Sequence, residues 1–335
     1  MRLHPLLLCL SSLLLPLTTQ ANDTTARVGA GGITLLQSAD IRMAEEQLTI
    51  SPKRITVRYR FENDSNQGID ATVAFPMPAY SWNPGFTALD ANNMPMSSFL
   101  ARINEVPVQT VRQRRAMLND RDITVPLHEA GLSDAQLFDT FGDATPDGHG
   151  LSAEQAQTLI RLGALSDNHP NWQVAETRTW QQHFPARSAL RVEHQYQPWV
   201  GTVYDAPYQQ GFEFNTLLPI PSGVSRADKA PGEACVDEGT RQAVERRIKQ
   251  LVAKGAKIVW VTLQDVEYIL GTGRNWKGPI GDFTLTLEKE SPDQLVSLCF
   301  PGKPQHQGKQ KLVFKQHAYT PQDRLVVYFY TIRGD

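Results

Sequence analysis

The stretch that decides the fold class is RITVRYRFEND, residues 54–64. Apolar and polar side chains alternate along it without a break, and the apolar ones are Ile55, Val57, Tyr59 and Phe61. A period of two places alternate residues on opposite faces of a strand. The segment therefore predicts a half-buried strand, with one face in a core and the other in solvent.

Strand-like segments recur on both sides of this stretch. The polar cluster NDSNQG at residues 63–68 predicts a turn, and alternation resumes at residues 69–75, which indicates a hairpin. In the last part of the chain, five strand-like runs lie between residues 257 and 333 at the spacing of a β-sandwich. One clear helix precedes them at residues 240–254, where the apolar side chains form a single stripe and Gly255 follows as the C-cap.

The segment between these β-rich regions has helical rather than strand-like spacing. Its last part, SAEQAQTLIRLGAL, begins with Ser152 and has Gln155 three residues later, which is the pattern of a capping box. We therefore predict a mainly β fold with two β-sandwich-like parts, a helical insertion between them, and one clear helix in the C-terminal part. The predicted boundaries are a signal peptide at residues 1–21, an N-terminal β-sandwich-like domain at 22–112, the helical insertion at 113–165, and a C-terminal β-rich domain at 166–335.

The first residues predict export. Arg2 precedes a largely apolar run at residues 6–17, and the sequence TQA at residues 19–21 ends in the small side chain that a signal peptidase requires. We expect cleavage near Ala21 and a periplasmic mature protein. The apolar run is too short for a transmembrane helix, which needs ~20 residues, and no later segment approaches that length. The sequence therefore predicts no membrane span.

Charge and composition exclude one class of partner. The chain has 33 lysine and arginine residues against 35 aspartate and glutamate residues, and it has no basic stripe. Nucleic-acid binding requires clustered basic side chains, so we predict no nucleic-acid partner. Hydrophobic residues make up 41% of the chain, which is typical of a globular protein that buries a core.

A glycine-rich stretch, GTGRNWKGPIGDFTLTLEK at residues 271–289, invites comparison with a phosphate-binding loop. Gly273 and Gly278 have the glycine spacing of a P-loop, but Pro279 stands where the lysine is required. The next segment alternates like a strand, so no helix N-terminus follows to face the phosphates. We therefore predict no nucleotide binding, and we interpret the stretch as an irregular connection that enters a strand.

The residues DATPDGHGLSAE at 143–154 have part of the ligand spacing of an EF-hand loop. Gly150 stands at position eight, where an aliphatic residue is typical, and Pro146 stiffens the loop, so the sequence favours an ordinary polar loop before a helix. The histidines are scattered and no two lie four residues apart, so no zinc-binding pattern is present. We predict neither a metal nor another cofactor.

No catalytic motif stands out, and we predict no catalytic residues. The G-x-S-x-G pattern of serine hydrolases is missing from the sequence. Asp265 and Glu267 lie on one face of a predicted strand and could serve a hydrolase, although any strand with two acidic residues at that spacing has the same arrangement. A hydrolase that acts on cell-envelope polymers is the alternative to a non-enzymatic protein.

Two cysteines remain after the predicted signal cleavage, Cys235 and Cys299. In an oxidising compartment a disulfide is the expected state of such a pair, and no Cys-x-x-Cys or neighbouring histidine completes a metal site. We therefore predict a disulfide between Cys235 and Cys299, which could stabilise the fold by ~4 kcal/mol in the chain-entropy model.

Large aromatic residues near loops and strand ends are the best sequence signal for binding, because such rings can stack on a sugar or a peptide. They can equally fill the core and corners of a sandwich, and this alternative stays open for each of them. Within the glycine-rich stretch we predict a candidate binding loop formed by Arg274, Asn275, Trp276 and Lys277. The other aromatic candidates are Trp172, Trp180, Trp199, Tyr196, Tyr204 and Tyr208.

Several blocks of the sequence occur in an order that can be compared with a known family. They include ITVRYRFEND with IDATVAFPMP, WQQHFP with VEHQYQPWVG, and YILGTGRNWKGPIGDFTLTLEK with LVSLCF. This set resembles an uncharacterised family of exported bacterial proteins, domain of unknown function 4424. The resemblance implies an exported β-rich protein, and it implies no catalytic residues because the family has no assigned activity. We expect a non-enzymatic binding or interaction module for an envelope protein or glycan.

Overall fold

The computed structural model describes residues 24–29, 32–81, 98–138, 150–166, 169–208 and 238–335. Most of the elements are β-strands, as predicted, and fewer are helices. The strands are β1 (Thr24–Gly29), β2 (Gly32–Leu36), β3 (Ile41–Ile50), β4 (Ile55–Asn63), β5 (Ile69–Pro76), β6 (Tyr80–Ser81), β7 (Leu100–Ile103), β8 (Val106–Val108), β9 (Val111–Leu118), β10 (Arg121–Asp122), β11 (Leu165–Ser166), β12 (His169–Pro170), β13 (Gln173–Phe184), β14 (Ala189–Tyr196), β15 (Val200–Tyr208), β16 (Val259–Ile269), β17 (Ile280–Glu288), β18 (Leu295–Ser297), β19 (Gln305–Gln307), β20 (Lys311–Tyr319) and β21 (Arg324–Gly334). The helices are α1 (Thr124–Glu129), α2 (Asp134–Phe138), α3 (Ala153–Arg161) and α4 (Glu238–Ala253), and a 3₁₀-helix spans Gly271–Asn275.

An eight-stranded sheet has the order β19-β20-β17-β3-β4-β14-β7-β8. Neighbouring strands are antiparallel except for β17 and β3, which run parallel with Leu285 opposite Leu48. The alternation that predicts a strand at residues 54–64 is confirmed in β4. Ile55 and Val57 are fully buried there, and the arginines between the apolar residues reach solvent.

A second sheet packs against the first. Its order is β10-β9-β13-β5-β1-β2, and β6 pairs with β13. Phe61 of the first sheet, and Phe75 and Trp180 of the second, belong to one hydrophobic core. Leu127 of α1 and Leu159 of α3 pack into the same core. The two sheets and the short helices therefore form a sandwich over a common core.

The third large sheet has four strands in the order β15-β16-β21-β18. The two halves of its strand β16 bury opposite faces. Val266 and Tyr268 of β16 enter the core of the sandwich. Val261 and Leu263 of the same strand pack with Ile248 of α4 in a second, smaller core. The predicted C-terminal helix is thus confirmed as α4, and its apolar stripe covers the first half of β16.

The face of β16 that α4 covers continues beyond the helix. Because alternate residues of a strand share a face, Asp265 and Glu267 follow Leu263 on that side. Both acidic residues are half-buried rather than buried. They therefore lie where the second core ends and polar surface begins.

The predicted helical insertion at residues 113–165 is only partly helical. Helices α1, α2 and α3 lie within it, and the capping box formed by Ser152 and Gln155 is confirmed. The prediction was wrong for residues 113–118, which belong to β9 and pair with β13. The three apolar residues of RRAMLND are consecutive, so their spacing distinguishes poorly between helix and strand, and the partner strand decides the conformation.

Strands from the two predicted β-sandwich-like parts, residues 22–112 and 166–335, share the two larger sheets. In the eight-stranded sheet, β3 and β4 from the first part pair with β17 and β14 from the second. In the other large sheet, β5 pairs with β13. The strands of both parts consequently pack around one core.

Three predicted features lie outside the described residues, at least in part. They are the signal peptide at residues 1–21, the EF-hand-like run up to residue 149, and Cys235. Cys299 is described and is half-buried shortly after β18, so its pairing with Cys235 stays a prediction. In the part of the chain that the structure covers, no helix has the length and apolar character needed to cross a membrane.

Candidate functional site

Trp276 of the predicted binding loop lies in the protein core. Only 3% of the residue is exposed, and its ring centroid is 4.4 Å from that of Phe61 and 6.2 Å from that of Phe184. The backbone oxygen of the preceding Asn275 accepts a hydrogen bond from the backbone nitrogen of Ser38 at 2.7 Å. Trp276 therefore fixes the connection before β17 against the sandwich, and its ring is not available to a partner in this conformation.

The charged residues of the predicted loop hold the same connection to its neighbours. Arg274 donates a hydrogen bond to the carbonyl oxygen of Pro321 at 2.8 Å and forms an ion pair with Asp323. Lys277 Nζ lies 3.1 Å from Asp64 Oδ2, and this hydrogen bond lowers the pKa of the Asp64 carboxyl. These contacts are internal to the protein, and a role of Arg274 and Lys277 in binding a partner stays a prediction.

Most of the predicted aromatic candidates are core residues. Trp172, Trp180 and Tyr196 are each at most 5% exposed. The side chains of Tyr204 and Tyr208 lie outside the described residues. For the three buried rings, the structure therefore favours the packing alternative over stacking on a ligand.

Trp199 differs from the other described candidates because it is half-buried. It lies in the short connection between β14 and β15, and its ring stacks on Tyr80 with 4.8 Å between centroids and 18° between planes. A large ring held in this way offers a flat apolar surface and has little side-chain freedom left to lose on binding.

Trp199 lines a groove that continues along the end of β16. A small cavity of about 50 Å³ is lined by Pro78, Ala79, Tyr196, Pro198, Trp199, Asp265 and Glu267. A larger cavity of about 330 Å³ shares Ala79 and Glu267 with it, and the polar residues of its lining also include Asn119, Asp120, Asn171, Gln173 and Arg324. We call the two cavities together the Glu267 groove.

Asp265 lies over a glycine inside the Glu267 groove. It pairs across the strands with Gly201 of β15, and a Cβ at Gly201 would overlap the Asp265 carboxylate. The missing side chain thus gives the carboxylate room to lie against the β15 backbone. Burial of the carboxylate raises the pKa of Asp265, so this residue takes up a proton more easily than an ordinary aspartate.

Glu267 has a different environment two residues farther along the same face. Its side chain is 30% exposed, and Arg324 Nη1 lies 3.5 Å from its Oε1. The two acidic residues of β16 therefore differ in their neighbours, because Asp265 lies against Gly201 and Glu267 lies beside Arg324. Among the residues that the structure describes, no group of three or more histidine, cysteine or acidic side chains is placed to hold a metal ion.

Tyr196 lines the small cavity, and its hydroxyl is buried in the core. The residue is 2% exposed, burial raises its pKa, and the hydroxyl has no hydrogen-bond partner among the described residues. An unpaired buried hydroxyl costs about 1–3 kcal/mol.

A second concave region lies on the outer face of the eight-stranded sheet and is less suited to a ligand. Three of its charged side chains already pair with one another, since Glu193 contacts Arg58 at 2.5 Å and Arg102 at 3.1 Å. A ligand there would have to displace these ion pairs. The Glu267 groove combines a half-buried tryptophan ring with amide and carboxylate side chains, and we treat it as the candidate site.

Sequence reasoning missed most of the polar residues of the groove. It singled out Tyr196, Trp199, Asp265 and Glu267, but the other polar residues come from the β9–β10 turn, the start of β13 and the start of β21. One local signal was available, which is the pair Asn119 and Asp120. Asn and Asp tolerate the positive φ angles that hairpin turns require, and both residues have positive φ in the structure. That signal predicts a turn, and only the sheet order brings the turn to β16.

A comparison with known protein families identifies the family of the chain. The family model for a domain of unknown function (DUF4424) matches residues 21–328, which is nearly the whole sequence. The chain belongs to the DUF4424 family. The family resemblance inferred from the sequence blocks is therefore confirmed, and no curated protein matches the DUF4424 chain.

Among solved structures, the DUF4424 chain is similar to a Legionella pneumophila protein that is provisionally described as a nutrient binding protein. The two are 13% identical with a TM-score of 0.45, and the alignment covers 93% of the DUF4424 chain and 70% of the other. A similarity at this level carries no function from one protein to the other. A proposal for the function of the DUF4424 chain therefore depends on the groove alone.

Proposed function

We propose that this DUF4424 protein is a non-enzymatic binding module that holds a glycan of the cell envelope in the Glu267 groove. The observation that carries the proposal is the half-buried Trp199, which stacks on Tyr80 at the edge of a cavity with amide and carboxylate side chains. A sugar ring has an apolar face and a rim of hydroxyl groups. The groove offers a partner for each of these two surfaces.

The polar lining suits hydroxyl groups in particular. The amide of Gln173 can both donate and accept hydrogen bonds, and the carboxylates of Asp265 and Glu267 accept them. Sites of this kind combine apolar and aromatic walls with a few polar groups that fix orientation. The larger cavity, at about 330 Å³, lies within the size range of small-molecule sites.

A periplasmic location is part of the proposal. It is supported by the N-terminal sequence, in which an apolar run follows Arg2 and small residues precede Asn22. Expression in a bacterial host and mass spectrometry of the purified protein test it. We expect the mature chain to begin at Asn22 and to be released with the periplasmic fraction.

Binding of defined envelope glycans tests the proposed site. A panel of peptidoglycan-derived and lipopolysaccharide-derived oligosaccharides is titrated into the protein and followed by isothermal calorimetry. We expect at least one glycan to bind and Trp199→Ala to weaken its affinity about tenfold through loss of the stacking surface. Trp260→Ala is the matched control, because Trp260 is an exposed tryptophan (37%) at the opposite end of β16.

Two outcomes would count against the proposed function. One is a panel in which no glycan binds at millimolar concentration. The other is a glycan whose affinity falls equally in Trp199→Ala and Trp260→Ala, because that result would move the binding surface away from the groove.

A hydrolase of cell-envelope polymers is the second candidate, and the two acids of the groove favour it. Asp265 has a raised pKa, whereas Glu267 lies beside Arg324, and glycosidases use two carboxylates in contrasting environments. Appearance of new reducing ends in incubations with envelope polymers measures this activity. Release that Asp265→Asn abolishes would overturn the non-enzymatic proposal, and its absence from the wild-type protein would rule out this candidate.

A further inference from the structure

We infer that Gly201 is a positioning residue for glycan binding, because its missing side chain keeps the Asp265 carboxylate flat on β15 and the small cavity beside Trp199 open. The inference rests on the proposed function and adds to the site a residue that lines neither cavity of the Glu267 groove. Any other residue at position 201 would then change the groove by moving Asp265.

Asp265 has different neighbours on its two sides. Residues directly opposite each other in an antiparallel pair share a face of the sheet. On the β21 side the residue opposite Asp265 is Tyr328, which is 3% exposed and belongs to the second core. On the β15 side the opposite residue is Gly201, and the carboxylate lies over it. The carboxylate thus occupies the side on which no other side chain stands.

A Cβ at position 201 would displace this carboxylate. It would lie 2.7 Å from Cγ and 2.8 Å from Oδ2 of Asp265, and closer still to Oδ1. Carbon atoms that are not bonded to each other prefer separations of about 3.5–4.0 Å, so the Asp265 side chain would have to rotate. Tyr328 fills the space toward β21. Rotation would therefore carry the carboxylate away from the sheet and toward the small cavity.

The small cavity has little space to lose. Its volume is about 50 Å³, and both Asp265 and Trp199 line it. One water molecule needs about 10–15 Å³ of such space, so the cavity accepts only a group of a few atoms. The hydroxymethyl arm of a sugar that stacks on Trp199 is a group of this size. A carboxylate that rotated into the cavity would take the place of that group.

The position of the carboxylate also has a signature that does not depend on a ligand. Burial raises the pKa of Asp265 in the arrangement over Gly201. A carboxylate that leaves the β15 backbone gains contact with water, so its pKa should fall toward the ordinary value of an aspartate. A loss of stability without movement of Asp265 would leave this pKa unchanged.

A double-mutant cycle tests the inference on the full mature protein. Calorimetry measures the affinity for the tetramer of N-acetylglucosamine in the wild type, Gly201→Ala, Asp265→Ala and the double variant. We expect Gly201→Ala to weaken binding about tenfold in the presence of Asp265 and less than about twofold in its absence. Carboxyl-carbon NMR follows the pKa of Asp265, which should be lower in Gly201→Ala than in the wild type.

The outcomes separate this inference from the proposed function. If Trp199→Ala weakens binding of the tetramer and Gly201→Ala does not, glycan binding stands and the role of Gly201 is overturned. An equal loss with and without Asp265 also overturns it, because the effect would then come from the β15 backbone. If the tetramer does not bind to the wild type, the pKa of Asp265 still decides. An unchanged value in Gly201→Ala overturns the positioning of Asp265 by Gly201, and a lowered value supports it although the proposed function fails for this glycan.

A second variant covers the case in which Gly201→Ala does not fold. Asp265→Glu keeps Gly201 and lengthens the acidic side chain, which extends the carboxylate from β16 into the small cavity. We expect this variant to bind the N-acetylglucosamine tetramer about tenfold more weakly than the wild type. Wild-type affinity in Asp265→Glu would overturn the inference, because the cavity would then tolerate a displaced carboxylate.

Discussion

Tyr196 and Tyr59 are two buried tyrosines that differ in whether the hydroxyl is paired. The Tyr59 hydroxyl lies 3.0 Å from that of Tyr268, whereas the Tyr196 hydroxyl has no partner among the described residues. Both rings are at most 2% exposed, so their apolar burial is similar. The pair therefore separates the energetic effect of a satisfied hydroxyl from that of an unsatisfied one.

Removal of the two hydroxyls should have opposite effects on stability. Tyr196→Phe deletes an unpaired polar group and should raise the free energy of unfolding by about 1 kcal/mol. Tyr59→Phe breaks a buried hydrogen bond and leaves Tyr268 with one fewer partner, so it should lower the same quantity by about 1 kcal/mol. Urea denaturation followed by tryptophan fluorescence measures both. Equal destabilisation by the two changes would mean that the Tyr196 hydroxyl is satisfied in solution.

At the scale of single residues, the sequence predicts burial well where a strand pattern is present. Ile55 and Val57 are buried as the alternation in residues 54–64 requires. Trp276 escaped such reasoning, because it follows glycines in a run without periodicity, and such runs usually mark exposed loops. Its burial depends on Phe61 and Phe184, which are distant in the chain.

The connection between β16 and β17 acts as an anchored element rather than a mobile loop. Trp276→Ala should remove about 3–5 kcal/mol from the free energy of unfolding, because it leaves a cavity between the sheets. Trp260→Ala removes a ring of the same type from a partly exposed position and should cost much less. Thermal or urea denaturation of the two variants measures this contrast. If Trp276→Ala lowered the free energy of unfolding by less than about 1 kcal/mol, the ring would not be packed in the core, and a role of this loop in binding would be favoured again.

At the scale of elements, a secondary-structure prediction was correct where the segment has a regular spacing of apolar residues or a capping motif. The capping box at Ser152 and the apolar stripe of α4 are strong local signals, and both helices occur as predicted. The apolar residues at 113–118 are three consecutive ones, Ala116 to Leu118, so the helical assignment had little periodic support and the pairing with β13 overrode it. Where the local sequence pattern of a segment is weak, tertiary contacts determine its secondary structure.

The predicted disulfide is a property of the whole molecule, because Cys235 and Cys299 lie on opposite sides of α4, β16 and β17 in the sequence. If it forms, the mature native protein should contain no free thiol. Reduction should then lower the free energy of unfolding by about 4 kcal/mol in the chain-entropy model. Thiol labelling with and without reductant, followed by mass spectrometry, checks the pairing. A protein that labels at both cysteines before reduction would contradict it.

At the scale of the whole molecule, the sequence predicts the fold class but not the sheet order. Alternation tells which face of a strand is buried, but it does not tell which strand lies beside it. The Glu267 groove illustrates the consequence, since β9, β13, β14, β16 and β21 or their flanking turns all contribute to it. Its residues are scattered along the chain, so no local motif could have assembled them.

The parallel pairing of β3 with β17 has a consequence for the time course of folding. Glu45 of β3 pairs with Asp282 of β17. Strand β3 is synthesised early, and this pairing can form only after β17 has been synthesised. Contacts of such long sequence separation slow folding. Until residue 288 emerges, that edge of β3 has no partner and can pair with a strand from another chain. Nascent chains of this protein should therefore aggregate unless a chaperone covers that edge.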